Sequence, residues 1–220
     1  MNPPPLVVPL VESIGRNFCV VLASGSPRRK ELLDRLNLDY KVIPSNFAED
    51  LDKSKFASAA DYVISNAEIK ARDVFLRIKD QSDKPVLVIG SDTVVVSPSG
   101  AILEKPASPQ DAAETLKSLS NKTNTVHTGV CLIVGGADAG KVTIEKTVES
   151  TEVTFNDLDD EMLEAYVATG EPTDKAGSYG YQANACFFIK EIRGDYYNVM
   201  GFPCARFYQM LRDLRQRGVL

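Results

Sequence analysis

Residue types suited to phosphate and acid–base chemistry fall in four short segments of this chain. Ser24-Gly25-Ser26-Pro27-Arg28-Arg29 sets two arginines among hydroxyls, and Gly90-Ser91-Asp92-Thr93 ends an apolar run on a carboxylate. Glu104-Lys105-Pro106 and Asp174-Lys175-Ala176-Gly177-Ser178-Tyr179-Gly180 each place a lysine beside an acid. Guanidinium forks and helix-terminal N–H groups hold phosphate oxygens, and a positioned carboxylate takes a proton from water or helps hold a hard cation. Each segment also has a plainer reading when taken alone. The first is an ordinary N-cap with exposed arginines, Asp92 is a turn aspartate, and the lysines form surface ion pairs worth little. There is no GxxxxGK[ST] loop, and no GxGxxG follows a strand. The single histidine, His127, would have to centre any Ser-His-Asp triad, Cys-His pair or multi-histidine metal site. It lies in Thr-Val-His-Thr-Gly, the setting of a structural strand residue.

The elements that must position these groups follow from patterning. Phe18 to Ala23 reads as a buried strand entering a turn, after which Ser26 caps a helix with Pro27 in its first position. A second helix is expected from Ser58, with Asp61 completing a capping box and Val63, Ala67, Ala71, Val74 and Ile78 on one face. Val86 to Gly90 reads as a buried strand that puts Asp92 at its end, where ligand crevices of open α/β sheets lie. Val94 to Val96 is a separate extended partner, and Ser108-Pro109 starts another helix. Strands at about 125–134 and 141–155 flank the glycine-rich segment 135–140, and Asp157 or Asp159 caps the following helix. A polar loop over 170–184 leads to a strand at Cys186 to Ile189, and a last helix runs from Pro203 to Gly218. The order predicts an α/β protein with a mixed, partly antiparallel twisted sheet in two lobes.

Composition narrows the function classes. The 220 residues carry 25 Lys plus Arg against 30 Asp plus Glu, a net charge of −5, which lacks the basic footprint of a duplex-binding protein. A nucleic-acid polymer is therefore not the expected partner. Neither is a membrane, since no apolar stretch approaches the roughly 20 residues needed to span one. At 44% hydrophobic and 25% charged the chain is globular. Cys19, Cys131, Cys186 and Cys204 form no CxxC pair and read as reduced thiols of a cytoplasmic protein. Residues 1–15, with three consecutive prolines and no basic residue, read as a flexible leader to a single domain at 16–220.

Together the segments resemble the Maf-like nucleoside triphosphate pyrophosphatases, also called septum formation proteins. The resemblance covers about residues 18–217 in order: LASGSPRR at 22–29, Lys70, GSDTVV at 90–95, EKP at 104–106, HTG at 127–129, DKAGSYGYQ at 174–182 and GFP at 201–203. It implies a two-lobed fold with a central nucleotide cleft, and hydrolysis of a nucleoside triphosphate to the monophosphate and pyrophosphate with Mg²⁺ or Mn²⁺. By the same resemblance Asp92 is the catalytic acid and a metal ligand, and Glu49 is the second acidic position, with Asp50 as the alternative. Ser24, Arg29, Lys70, Lys105 and Lys175 are the phosphate-binding positions.

The family divides into a dTTP/UTP branch and a 7-methyl-GTP branch. Arg28, Thr93 and Gln182 match the first at the three positions that separate them. In the second, tryptophan replaces the arginine and an acid replaces the glutamine; this chain has no Trp at all. An amide meets the alternating acceptor, donor, acceptor edge of uracil or thymine, whereas a carboxylate suits the adjacent donors of guanine. The resemblance thus implies dTTP and UTP as substrates, extending to CTP and modified pyrimidine nucleotides. Two alternatives stand beside it: a house-cleaning enzyme for ITP, XTP or modified purines, and a nucleotide-binding regulator of cell division without activity. Family members are often homodimers, and the sequence leaves the oligomeric state open.

Overall fold

A computed structural model of the chain describes residues 8–136 and 141–220. The strands are β1 (Cys19–Leu22), β2 (Lys41–Val42), β3 (Val86–Val96), β4 (Ile102–Leu103), β5 (Thr123–Gly135), β6 (Thr143–Phe155) and β7 (Ile189–Arg193). The helices are α1 (Pro9–Asn17), α2 (Pro27–Asp34), α3 (Ala59–Ile78), α4 (Pro109–Leu119), α5 (Asp160–Ala168), α6 (Tyr196–Met200) and α7 (Cys204–Gln216). The strands join in the order β2-β1-β3-β5-β6-β7, with β4 on β3. β1 runs parallel to β2 and β3, while β4 is antiparallel to β3 and β7 to β6, so the sheet is mixed and the fold α/β. Among the described residues no helix is long and apolar enough to cross a membrane.

The chain divides into two compact units. The first holds Met1–Asp92, Gly129–Val148 and Phe202–Leu220; the second holds Thr93–Thr128 and Glu149–Gly201. In the first, Val21, Ala67, Ala71, Val74, Val88, Cys131 and Ile133 share one core. All five residues predicted for the apolar face of α3 are buried. Ser58 caps the helix as expected, accepting from Asp61 N at 3.1 Å and donating to the Asp61 carboxylate at 2.7 Å. The second unit centres on Phe155, Tyr166, Tyr179 and Phe188, with Phe155 and Tyr179 packed edge to face at 4.9 Å.

Three sequence expectations are corrected. Residues 9–15 do not belong to a flexible leader but to α1, because Pro9 occupies a first-turn position and Val11 and Ile14, three apart, are both buried; residues 1–7 lie outside the described residues. The extended run from Val86 does not end at Gly90. It continues through Asp92 to Val96, where Val95 and Val96 pair with Leu103 and Ile102. Finally, Asn184–Phe187 forms a 3-10 turn, and the strand begins only at Ile189, where pairing with β6 becomes available. Part of the glycine-rich segment 135–140, namely 137–140, lies outside the described residues.

Candidate active site

Side chains on a strand alternate between faces, so Val88, Gly90 and Asp92 lie on one face of β3. Gly90 lets α3 approach that face closely: a Cβ there would lie 2.3 Å from the Ala67 carbonyl oxygen and 2.8 Å from Ala71 Cβ. One helical turn separates Asn66 from Lys70, so both side chains project from the same side of α3. They reach Asp92 together. Lys70 Nζ donates to Asp92 Oδ1 at 2.8 Å, and Asn66 Nδ2 donates to Asp92 Oδ2 at 2.9 Å. Asp92 is 6% exposed.

The same Lys70 ammonium lies 2.8 Å from Glu49 Oε2. Glu49 has a left-handed backbone (φ 58°), uncommon for a residue with a side chain, and its carboxylate is 54% exposed. Of the two acids left open by the sequence, Glu49 is therefore the one on Lys70. A buried ammonium shared by two carboxylates compensates its loss of hydration, and removing either partner would leave a poorly solvated charge.

The strand-to-helix turn adds the opposite charge. Ser26 caps α2 by accepting from Arg29 N, and Arg29 Nη1 donates to Ser24 Oγ at 2.9 Å, with both side chains buried. Burial pushes the Arg29 guanidinium below its ordinary pKa, while the negative charges of Asp92 and Glu49 hold it up. Arg28, half-buried in the first turn of α2, also lowers it. Arg28, Arg29 and Lys70 thus set three cations against the two anions Asp92 and Glu49. A triphosphate entering this cluster brings more negative charge than the one surplus cation offsets. Two hard carboxylates suit Mg²⁺ or Mn²⁺, which take one or two carboxylates together with substrate phosphates. Among the described residues no cluster of three or more His, Cys, Asp or Glu could hold a metal.

Residues 19–214 match the family of Maf-like proteins. The chain belongs to that family. It is similar to the dTTP/UTP pyrophosphatase of Thermococcus gammatolerans, at 44% identity over 200 residues covering 90% of this chain and 96% of the relative. The dTTP/UTP pyrophosphatase of Bacillus cytotoxicus is 43% identical over 199 residues, covering 89% and 94%. A human relative, "Probable bifunctional dTTP/UTP pyrophosphatase/methyltransferase protein", is 41% identical over 198 residues. That match covers 89% of this chain but 32% of the human protein, so the chain spans about a third of that relative's length.

The other residues read from the Maf-like sequence pattern lie in the second unit. Gly177 N donates to the Glu104 carbonyl at 3.1 Å, tying the 174–180 segment to the segment of Lys105, which is itself exposed. Lys175 Nζ donates to the Glu171 carbonyl at 2.6 Å and pairs with Asp174 at 2.7 Å. Its stem lies against Gly180, where a Cβ would meet Lys175 Cε at 2.5 Å. Tyr179 serves the core, donating to Asn124 Oδ1 at 2.8 Å, and burial raises its hydroxyl pKa. Gln182 is exposed, and Thr93 Oγ1 lies 3.0 Å from Thr128 Oγ1. His127 Nδ1 lies 2.7 Å from Ser150 Oγ, in keeping with a structural strand residue.

Sequence reasoning missed Asn66. The available signal was an asparagine inside the apolar stripe of α3, four positions before Lys70.

Proposed function

We propose that this Maf-like chain is a nucleoside triphosphate pyrophosphatase that hydrolyses dTTP and UTP between the α and β phosphates. Water adds to the α-phosphorus, the bond to the bridging oxygen breaks, and the products are the monophosphate and pyrophosphate. The observation that carries this reading is the buried Asp92 held by two donors on α3, with Lys70 joining it to Glu49. The names of relatives more than 40% identical over most of the chain support the substrate class.

In this reading Asp92 accepts a proton from the attacking water. Arg29, fixed by Ser24, and Lys70 neutralise phosphate oxygens as charge moves toward the leaving pyrophosphate. A divalent cation, when bound, supplies charge neutralisation and Lewis acidity, and Glu49 and Asp92 are the carboxylates that would hold it. Lys105 and Lys175 are assigned to phosphate, and Arg28, Thr93 and Gln182 to the pyrimidine, on sequence resemblance. The chain from α1 onward acts as one functional domain. The substrates are intracellular metabolites, so the reading is a cytoplasmic one.

A panel of nucleoside triphosphates with Mg²⁺, each reaction coupled to inorganic pyrophosphatase and read as released phosphate, tests it. Preference for dTTP and UTP is expected. Strong preference for 7-methyl-GTP or ITP would overturn the pyrimidine assignment, and binding without pyrophosphate release would overturn the enzymatic one.

A further inference from the structure

Asp92 has a second donor that plays no part in the charge balance of the site. Asn66 is 1% exposed, and its Nδ2 donates to Asp92 Oδ2 while Lys70 takes Oδ1. An ionised carboxylate only accepts hydrogen bonds, so the amide must turn its nitrogen toward Asp92 and its oxygen away. Among the described residues that oxygen, Asn66 Oδ1, is buried with no hydrogen-bond partner. A buried carbonyl oxygen left unpaired costs stability. Leucine, branched in the same way though larger, would remove that cost and suit the apolar stripe of α3, but it would leave the buried Asp92 Oδ2 without its donor.

We propose that Asn66 is a positioning residue for Asp92. The carboxylate torsion is broad and two-fold, so a single donor leaves its plane loosely set, whereas one donor on each oxygen fixes it. Lys70 is an unreliable donor for this purpose, because it also pairs with Glu49 and responds to any phosphate that approaches. The Asn66 amide carries no net charge and keeps hold of Oδ2 whichever ions enter. The carboxylate plane, and with it the lone pair that meets the water, then stays set through turnover.

This inference rests on the pyrophosphatase reading, and the test separates the two. Asn66→Leu keeps the branching at Cγ and loses the donor; Asn66→Thr restores a hydroxyl that can donate. Full-length variants are compared with wild type by kcat and KM for dTTP and UTP with Mg²⁺, and by the urea midpoint of unfolding. For Asn66→Leu the expected result is a folded protein with a lowered urea midpoint, KM within about twofold and kcat lowered about tenfold, with part of the kcat loss regained in Asn66→Thr. A leucine variant with kcat within twofold of wild type overturns the proposal. So does one that does not fold, since the amide would then be serving stability. A wild-type enzyme that releases no pyrophosphate from either nucleotide overturns the activity reading itself, a different result from an active wild type with an equally active leucine variant.

Discussion

A Cβ at Gly90 would lie 2.3 Å from the Ala67 carbonyl oxygen, a separation no side chain can adopt, so Gly90 sets how closely α3 lies on β3. That approach brings Asn66 and Lys70 within hydrogen-bonding reach of Asp92. Gly90→Ala should force the helix outward and destabilise the protein by about 3 kcal/mol, at the upper end of overpacking effects. The melting temperature should fall by roughly 6–12 °C. An unchanged melting curve would mean that the two elements yield without cost.

Asp92→Asn removes the charge and keeps the shape. The Asn66 amide can turn its unpaired Oδ1 toward the new amide while Lys70 keeps an oxygen acceptor, so the fold should survive. Turnover should drop by about 10²–10⁴-fold, the usual contribution of a general base. Steady-state rates together with a circular dichroism melt check both halves. Near-normal rates would remove Asp92 from the mechanism.

Ser24→Ala deletes the acceptor of a buried guanidinium hydrogen bond. Such bonds to charged groups contribute about 1.5–3 kcal/mol, so stability should fall by that order. KM for the nucleotide should rise, because Arg29 is no longer held. If KM is unchanged, Arg29 does not need Ser24 to meet phosphate.

The pH dependence of stability should show the contribution of Glu68. Its carboxylate accepts from Lys146 Nζ at 2.6 Å and from Arg72 Nε at 2.7 Å, and the Lys146 bond is the main reason its pKa is held below the ordinary carboxylate value, against the opposing effect of burial. A depressed folded-state pKa means the stabilisation is present above the unfolded value and is lost as pH falls through the folded one. Urea midpoints should therefore decline below about pH 4.5, and Glu68→Gln should decline less steeply over that range. Parallel curves for the two proteins would refute this.

Gln182→Glu changes a donor and acceptor into acceptors alone. Relative kcat/KM for dTTP and UTP should fall against that for guanine nucleotides, measured across the same substrate panel. An unaltered ranking would detach Gln182 from base selection.

Local rules made much of the fold readable. Ser26, Ser58 and Ser108 cap the helices they were expected to cap, because capping depends on residues three apart in sequence. The apolar face of α3 follows from helical periodicity alone. The boundaries that failed depend on pairing between distant segments. Whether β3 stops at Gly90 or runs to Val96 depends on its β4 partner, and the strand near 189 begins where β6 can receive it.

For the site, the sequence by itself determined the kinds of groups present: a carboxylate after an apolar run, paired arginines at a helix start, lysines beside acids and a single histidine. Resemblance grouped them into one chemistry. The tertiary structure decided that Glu49 rather than Asp50 meets Lys70, that Asp92 is a buried mid-strand residue, and that Asn66 completes its hydrogen bonding. The physical reason is that the hydrogen bonds to Asp92 from side chains 22 and 26 positions before it exist only once α3 has packed onto β3. Gly90 permits that packing, and no local pattern encodes it.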